Sequence, residues 1–494
     1  MIILHNNTMS DSPRTLYRVA EIREAERIAI QDLGMPGLQL MQEAGHAAFK
    51  ALQQRWPDQR TLTIFCGSGN NAGDGYVVAR LALVAGYQLS TYSLVDPQML
   101  RGDALTAFND FIEAGGHLEA FNSQQIPAGV IVDALFGTGL VRPVNEAYAM
   151  AISCINQSDC PVLSIDVPSG LHADSGCVMG CAVKADLTVT FIALKCGLFT
   201  GEARDYCGEI VCCSLNLPDQ AMLGLPSLAS LLVKSPLLPR SRCAHKGHFG
   251  HVLMIGGNHG YMGAIRLAGE AALRSGAGLV SIATRTAHAS LVTIGRPELM
   301  CHAVETPNDL STLLEKATVV VIGPGLGQDE WAVSLLNKVL AADTICVVDA
   351  DALNLLAKKP LKRQNWILTP HPGEAARLLG CTNADIASDR FAAVTKIQAH
   401  YGGICVLKGA GSLIADHQSI FVSTTGNPGM ASGGMGDVLA GLTGALVAQG
   451  LPLLQAAKLA VYVHGAAADS LASEKGERGM LAGDLLLKIK EQLN

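Results

Sequence analysis

The sequence predicts an α/β protein that consists of two consecutive domains with parallel sheets. Short apolar runs rich in β-branched residues alternate with helical segments along the 494 residues, which is typical of parallel strands covered on both faces. This alternation lapses once, over residues 218–245, where Pro and Ser are frequent. We therefore place a domain boundary between residues 224 and 225.

The first domain, residues 1–224, is predicted to be a Rossmann-like three-layer domain. Two helical segments, VAEIREAERIAIQDL and MQEAGHAAFKALQQRW, open it. A helix over residues 75–85 follows the first strand. The six predicted strands are TLTIFCG, QLSTYSLV, GVIVDALFG, PVLSIDVPSG, LTVTFIA and EIVCCSL.

The loop CGSGNNAGDG follows the first strand of this domain, at residues 66–75. Its glycines fit the G-x-G-x-x-G/A pattern of dinucleotide-binding loops. A loop that only held pyrophosphate would have no need for the carboxamides of Asn70 and Asn71 or the carboxylate of Asp74. The loop leaves open an oxidoreductase that uses Asp96, after the second strand, as the acid that binds a ribose.

The second domain, residues 225–494, repeats the α/β alternation. Its predicted strands are HVLMIGG, LVSIAT, VVVIGPG, ICVVDADA, WILTP and ICVLKG, and its first helix is GAIRLAGEAALRSGAG. SLIAD and SIFVST are predicted to form a hairpin, and apolar helices follow to the end.

The segment GNPGMASGGMGDVLAGLTGALVAQG, residues 426–450, carries the strongest chemical signal of the chain. Its glycines lead into a helix that is apolar on all sides, so we expect a buried helix whose N-terminus faces a cleft. The backbone N–H groups from Ser432 to Gly436 would form an anion hole for a phosphoryl group. Asp437 lies beside it, where a carboxylate can accept the proton of an attacking hydroxyl.

Three other strand ends of the second domain are candidates for ligand binding. The first is Gly323–Gly327, where missing side chains permit close backbone approach. His371 and Glu374 follow another strand, and 408–412, KGAGS, could lie along nucleotide phosphates. In open α/β sheets, ligands bind at such ends.

Composition excludes several classes of partner. The net charge is −7 and no run of Lys or Arg is present, which argues against nucleic acid and membranes. The fourteen cysteines are scattered, which favours a reducing, cytoplasmic setting. Residues 1–12 do not resemble a signal peptide, and the apolar segment 438–454 is predicted to be a buried helix. We expect a homo-oligomer.

The motifs VIGPGLG, DADALN, TPHPGE, KGAGS and GNPGMASGGMGD resemble those of the ADP/ATP-dependent NAD(P)H-hydrate dehydratases, ribokinase-like proteins, over residues 228–494. The resemblance implies phosphorylation of the C6 hydroxyl of S-NAD(P)HX, a hydrated reduced nicotinamide cofactor, followed by loss of phosphate. Asp437 matches the base, Ala264, Gly327 and His371 match substrate contacts, and the nucleotide positions are Lys408, Gly409, Ala410, Gly411, Ser412 and Gly436. Mg²⁺ would accompany ADP, which the resemblance favours, or ATP.

The motifs CGSGNNAGDG, IVDALFGTGL and SIDVPSGLHADSG resemble the NAD(P)H-hydrate epimerases over residues 10–220. This family interconverts R- and S-NAD(P)HX, and Asp166 matches its acid/base residue. The resemblance implies a K⁺ site at Asn71, Asp133 and Ser169, whose oxygens are suitable ligands. The substrate-binding positions that it implies are Asn70, Asn71, Ala72, Gly73 and Asp74, together with Gly137, Thr138, Gly139, Leu140, Val141, Arg142, Pro143 and Asp166.

Three alternatives remain open from the sequence. The first is the oxidoreductase already described, and the second is a kinase of a vitamin alcohol, such as a thiazole, fused to a dinucleotide-binding domain. The third treats the first domain as a binding module without catalysis.

Overall fold

The structure is a computed structural model that describes residues 14–122 and 127–494, together with the backbone of residues 2–4. Apart from that backbone, the segment 1–12, predicted not to be a signal peptide, lies outside the described residues. The chain divides into two compact units, Met1–Ser230 and Leu231–Asn494. The predicted boundary between residues 224 and 225, with epimerisation assigned to the first domain and dehydration to the second, stays a prediction.

The first unit contains a parallel sheet of seven strands in the order β1-β9-β7-β6-β5-β3-β4. The order reverses beside β3, because β4 and β5 lie on its two sides, and such a reversal opens a crevice at the carboxyl ends. The strands are β1 (Ile2–Leu4), β3 (Thr61–Cys66), β4 (Gln88–Ser93), β5 (Val130–Ala134), β6 (Val162–Ile165), β7 (Leu187–Phe191) and β9 (Glu209–Cys213).

Helices cover both faces of this sheet, which confirms the predicted three layers. One face packs Leu62 and Ile64 against α2, α3 and α4, whereas Phe65 and Ile131 on the other face pack against α5. The helices of the unit are α1 (Val19–Arg27), α2 (Gly37–Arg55), α3 (Asn70–Val84), α4 (Gly102–Glu113), α5 (Glu146–Gln157) and α6 (Asp219–Met222).

Helix α3 corrects the predicted helix over residues 75–85, because it begins at Asn70 and ends at Val84. The Asn-Asn-Ala-Gly-Asp segment is therefore the first part of a helix and not a loop. Its glycines are required for packing: a Cβ on Gly73 would lie 2.5 Å from Met41 Sδ, and one on Gly75 would lie 2.6 Å from Ala134 Cβ. Tertiary contacts thus override the low helix propensity of glycine.

The second unit contains nine strands in the order β13-β12-β11-β14-β15-β16-β17-β18-β19. Neighbours from β13 to β17 are parallel, and β17-β18 and β18-β19 are antiparallel, as predicted for the hairpin. The strands are β11 (His251–Ile255), β12 (Leu279–Thr284), β13 (Met300–Ala303), β14 (Val319–Ile322), β15 (Ile345–Val348), β16 (Trp366–Leu368), β17 (Ile404–Leu407), β18 (Leu413–Ala415) and β19 (Ile420–Val422).

One face of this sheet is covered by four helices that share one apolar core. The most buried of them is α15, whose positions from Val438 to Ala448 are all buried, as predicted from its apolar surface. The helices of the unit are α7 (Met262–Arg274), α8 (Thr286–Val292), α9 (Ser311–Lys316), α10 (Glu330–Ala341), α11 (Ala350–Lys358), α12 (Pro372–Leu379), α13 (Asn383–Ser388), α14 (Arg390–Tyr401), α15 (Met435–Ala448), α16 (Leu453–Lys475) and α17 (Leu485–Leu493), of which α7, α15, α16 and α17 form that face.

The predicted helix over 438–454 is too long, because α15 ends at Ala448 before Gly450, which has a φ of +92°. None of the helices in the described ranges combines the length and apolar character that a bilayer crossing needs. Five strands were not predicted from the sequence: the short strands β1 (Ile2–Leu4), β2 (Thr15–Tyr17), β8 (Leu194–Lys195) and β10 (Ala229–Leu231), and the edge strand β13.

Candidate active sites

The first unit has a cavity of about 710 Å³ at the carboxyl ends of β3, β5 and β6. The predicted positions that line it are Asn70, Asn71, Asp74, Gly137, Thr138, Gly139, Leu140, Val141, Arg142 and Asp166. Ala72, Gly73 and Pro143 do not line it. Ala72 and Gly73 instead face the interior, because they lie on the side of α3 that packs against the protein core.

Asp166 follows β6 and projects its carboxylate into this cavity. Its backbone has a φ of +69°, a left-handed conformation that only a few per cent of residues other than Gly adopt, with Asn and Asp enriched among them. Lys195, on β8, is 1% exposed and places Nζ 2.5 Å from Asp166 Oδ1 and 2.8 Å from Phe191 O. A buried ion pair therefore fixes the orientation of the predicted catalytic carboxylate.

Three further carboxyl groups, those of Glu26, Asp74 and Asp103, line the same cavity. Burial raises the pKa of Asp74 well above its ordinary value, and the negative charges of Asp166 and Glu26 raise it further, against the effect of Lys195. Burial and Asp166 also raise the pKa of Glu26. Asp74 therefore favours its protonated form, beside a carboxylate that has a cationic partner.

Of the three residues of the predicted K⁺ site, Asn71 lines this cavity, whereas Asp133 and Ser169 do not. Asp133 is fully buried, and its carboxylate accepts hydrogen bonds from Ser164 Oγ at 2.8 Å, Ser169 N at 2.8 Å, Ser169 Oγ at 2.5 Å and Leu135 N at 3.3 Å. Within the described ranges it forms no ion pair with a Lys or Arg. Asn71 is also buried, and its Nδ2 has no hydrogen-bond partner.

In the second unit, four ionisable side chains meet at the carboxyl ends of β15, β16 and β17 and the N-terminus of α15. Lys408 Nζ lies 2.7 Å from Asp349 Oδ1 and 3.9 Å from Glu374 Oε2. A Cβ on Gly436 would lie 3.3 Å from Lys408 Nζ and 3.6 Å from Asp349 Oδ2. The next residue, Asp437, completes the cluster, and the absence of a side chain at Gly436 keeps the approach open.

The electrostatics of this cluster favour a proton acceptor that titrates near neutrality. Burial raises the pKa of Asp437 to about 7, with contributions from Asp349 and Glu374 and an opposing one from Lys408. Burial likewise raises the pKa of Glu374 to about 7. Burial alone would lower the pKa of Lys408, but Asp349 and Glu374 raise it. The ammonium of Lys408 therefore stays charged among these carboxyl groups.

The predicted anion hole at the start of α15 is smaller than expected. The N–H of Ser432 donates to Met430 O at 2.8 Å, because a short turn at Pro428–Met430 directs it there. Gly434 has a φ of +90° and is the N-cap of the helix. In the part of the chain that the structure describes, the N–H groups of Gly433, Gly434, Met435 and Gly436 have no chain acceptor. Four donors thus remain for an anion.

Arg390 stabilises the KGAGS segment, 408–412, through hydrogen bonds to backbone carbonyl oxygens. This buried guanidinium donates through Nη2 to the carbonyl oxygens of Leu407, Lys408 and Gly411 at 3.3 to 3.4 Å. Gly409 and Gly411 have φ values of +132° and +63°. The segment therefore forms a fixed turn beside Asp437 rather than a free loop.

The three predicted substrate contacts of this unit lie on separate elements around the cluster. Ala264, on α7, faces Gly325, since a Cβ on Gly325 would lie 3.2 Å from Ala264 Cβ. Gly327 donates its N–H to Asp351 Oδ2 at 2.9 Å. His371 caps α12, where its Nδ1 accepts from Gly373 N at 3.0 Å. Burial, Lys408 and Arg377 lower the pKa of His371.

Four residues of these sites were not among the predicted site residues. Lys195, Glu26, Asp349 and Arg390 act through contacts with residues far away in the sequence, which no local pattern indicates. Two signals for them were available in the sequence. Lys195 is a lysine within the apolar run FIALKCG, and Asp349 opens the acidic DAD that follows a buried strand. Asp96, proposed for the oxidoreductase, accepts a hydrogen bond from Gln98 N and caps a short turn.

Two family models match the chain, one for each unit. The model described as NAD(P)H-hydrate dehydratase matches residues 252–491. The model described as YjeF-related protein N-terminus matches residues 37–197.

The chain is also similar to curated proteins along almost its whole length. It is 50% identical to the bifunctional NAD(P)H-hydrate repair enzyme Nnr of Coxiella burnetii, covering 97% of this chain and 99% of that protein. The protein of the same name from Escherichia coli is 46% identical, covering 98% and 94%. Among solved structures, the ADP/ATP-dependent NAD(P)H-hydrate dehydratase of Bacillus subtilis is 30% identical, covers 52% of this chain and 93% of that chain, and has a TM-score of 0.48.

Proposed function

Because the chain belongs to the family of bifunctional NAD(P)H-hydrate repair enzymes, we propose that the cavity of the first unit is the epimerase site and that the Asp437 cluster is the dehydratase site. The two activities of the family are the epimerisation of R- and S-NAD(P)HX and the nucleotide-dependent dehydration of the S form. Family membership thus confirms the predicted bifunctional enzyme and decides against the oxidoreductase, the vitamin-alcohol kinase and the non-catalytic first domain.

For the epimerase, we assign the acid to Asp74 and the base to Asp166. Protonated Asp74 would donate its proton to the C6 hydroxyl, so that the C6–O bond breaks, water leaves, and the cation is shared between C6 and the ring nitrogen. Water would return to the opposite face of C6 and lose a proton to Asp166. The raised pKa of Asp74, caused first by burial, and the pairing of Asp166 with Lys195 support this division of roles.

K⁺ is a suitable ion for Asn71, Asp133 and Ser169. Asp133 is a buried carboxylate with no cationic partner among the described residues, so a monovalent cation would offset its charge. The unpartnered amide end of Asn71 could present its oxygen after a 180° rotation of the carboxamide. The ion would supply a fixed positive charge that helps to bind the substrate phosphates.

For the dehydratase, we assign the base to Asp437 and the nucleotide site to 408–412 and Gly436. Asp437 would accept the proton of the C6 hydroxyl as that oxygen attacks the terminal phosphorus of the nucleotide, and the bond from that phosphorus to the bridging oxygen would break, so that AMP leaves when ADP is the donor. Lys408 and the N–H groups of Gly433, Gly434, Met435 and Gly436 would stabilise the transferred phosphoryl oxygens. Phosphate then leaves C6 and a proton leaves C5, which restores the double bond of NAD(P)H. The observation that carries this assignment is the meeting of Asp437, Lys408 and Gly436.

Mg²⁺ with ADP is the co-substrate that we propose, and ATP is the alternative. Three carboxyl groups surround one lysine in the cluster, so nucleotide phosphates need additional positive charge. Oxygen ligands of this kind fit Mg²⁺, which binds through one or two carboxylates and phosphates. Purified protein incubated with S-NADHX, Mg²⁺ and either nucleotide should form NADH, which is measured by its absorbance. No NADH with either nucleotide would contradict the assignment.

We predict that dehydration activity rises with pH through the region near 7. The base must be deprotonated, and burial raises the pKa of Asp437 to about 7, so kcat/KM should increase between about pH 6 and 8 and then level off. Glu374→Gln removes a negative charge that raises the pKa of Asp437, so the midpoint should move to lower pH. An unchanged midpoint in Glu374→Gln would show that the profile reports another group.

We predict that the two activities can be separated by dividing the chain. Each unit has its own sheet and core, so fragments 1–230 and 231–494 should fold separately. The first should interconvert R- and S-NADHX, and the second should dehydrate only the S form. Circular dichroism and both assays on each fragment would test this. Loss of both activities in folded fragments would contradict the assignment of one site to each unit.

The cellular setting and assembly remain part of this proposal. All fourteen cysteines are thiols, which supports a reducing compartment such as the cytoplasm. We retain the homo-oligomer as a proposal for the chain as a whole, to be tested by light scattering.

A further inference from the structure

The dehydratase unit has a cavity of about 500 Å³ beside two of the proposed substrate contacts, Gly327 and His371. It is lined by Gln328, Asn354, Ala357, Lys358 and Arg377. Gln328 follows Gly327 directly. Arg377 lies on α12, six residues after His371. A Cβ on Gly373 would lie near both residues, 2.9 Å from His371 Cε1 and 3.7 Å from Arg377 Nη1. The cavity therefore adjoins two of the proposed substrate contacts.

Neutral side chains hold the two cations of this cavity in place. Lys358 Nζ donates to Gln328 Oε1 at 3.0 Å, and Arg377 Nε donates to Asn354 Oδ1 at 2.6 Å. Within residues 14–122 and 127–494, neither cation lies within 4.0 Å of a carboxylate oxygen. Their positive charges are thus oriented without being neutralised.

The carboxylate of Asp351 accepts hydrogen bonds from two residues that line the cavity and from Gly327. It accepts from Gly327 N at 2.9 Å, Asn354 Nδ2 at 3.3 Å and Gln328 Nε2 at 3.4 Å. These are neutral donors, so Asp351 fixes the backbone at Gly327 and the two amide side chains. The same amides position Lys358 and Arg377. One network therefore connects a proposed substrate contact to two unpaired cations.

We propose that Lys358 and Arg377 form a phosphate subsite for the hydrated dinucleotide. The inference rests on the proposed function, in which C6 of the substrate lies at Asp437 and the molecule passes Gly327 and His371. A dinucleotide carries a pyrophosphate, and its phosphorylated form also carries a phosphate on the 2′ oxygen of the adenosine ribose. Each group carries close to two negative charges, which a lysine and an arginine that line the same cavity can recognise together.

The test compares steady-state kinetics of the full chain with S-NADHX and S-NADPHX. Lys358→Gln and Arg377→Gln should each raise KM about 3- to 10-fold with little change in kcat. A rise for S-NADPHX alone identifies the 2′-phosphate, and an equal rise for both substrates identifies the pyrophosphate. Added NaCl should reduce the difference from wild type, since it screens exposed charges.

Lys359→Gln is the matched control, because Lys359 is an exposed neighbouring lysine that does not line the cavity. Its KM should equal that of wild type. His371→Asn, which retains a helix cap, tests the underlying proposed function. If His371→Asn raises KM while Lys358→Gln and Arg377→Gln do not, the subsite is wrong and the proposed function stands. If none of these three variants changes KM, both the subsite and the proposed function are wrong. A fall in kcat at constant KM in Lys358→Gln and Arg377→Gln also overturns the subsite.

Discussion

Asp437→Asn should abolish nucleotide-dependent formation of NADH from S-NADHX while epimerisation continues. The asparagine keeps the size of the side chain but cannot accept a proton at neutral pH, and loss of a general base lowers rates by about 10²- to 10⁴-fold. Two other carboxylates lie near Asp437. Asp349 and Glu374 both influence the pKa of Asp437.

These neighbours should nevertheless fail to replace Asp437, because each is already engaged. Asp349 Oδ1 accepts from Thr369 Oγ1 and Lys408 Nζ, both at 2.7 Å. Glu374 Oε2 accepts from His371 N at 2.8 Å. Single-turnover assays with ADP and Mg²⁺ would measure the loss. A rate within threefold of wild type would assign the proton to one of these two carboxylates.

Stability provides the control for Asp437→Asn. The folded-state pKa of Asp437, about 7, lies above the ordinary aspartate value of 3.8, so the stability linked to this group is complete below pH 3.8 and is lost as pH rises through 7. At pH 8 the asparagine removes an unfavourable buried charge. The melting temperature of Asp437→Asn should therefore equal or exceed that of wild type at pH 8, and a large decrease would mean that the variant reports folding instead of catalysis.

The parts of the fold that the sequence predicts well are those in which local pattern and burial agree. LVSIAT coincides with β12 (Leu279–Thr284), because a short apolar run between two helices has one favourable place in a parallel sheet. The start of α3 was missed because Asn and Gly are poor helix formers. Those glycines serve close packing against Met41 and Ala134, which depends on distant segments.

The same distinction applies to the candidate sites. Asp166 and Asp437 were predicted because each lies in a motif that places it at a strand or helix end. Lys195 and Asp349 were not, because their roles come from partners 29 and 59 residues away in the sequence. A buried ion pair between such residues follows from the topology of the sheet, which no local pattern contains.

Asp166→Asn should leave repair of S-NADHX intact and prevent repair of the R form. The left-handed backbone at residue 166, with a φ of +69°, is a conformation that asparagine adopts readily, so the local geometry should persist. The variant does leave Lys195 buried without its carboxylate, which should lower the free energy of unfolding by on the order of 3 kcal/mol. A loss of activity from this variant alone could therefore reflect either chemistry or stability.

The double variant Asp166→Asn/Lys195→Met separates these two causes. Methionine removes the unpaired buried charge and fills a similar volume, so much of the lost stability should return, whereas the missing proton acceptor should still reduce epimerisation by about 10²-fold or more. With a mixture of R- and S-NADHX, ADP and Mg²⁺, wild type should convert the whole mixture to NADH. Both variants should consume the S share and then slow to the spontaneous rate of epimerisation. Recovery of the wild-type rate in the double variant would mean that the Asp166–Lys195 pair only supports the fold. The protons at C6 would then be transferred by the remaining carboxyl groups of the cavity, which are those of Glu26, Asp74 and Asp103.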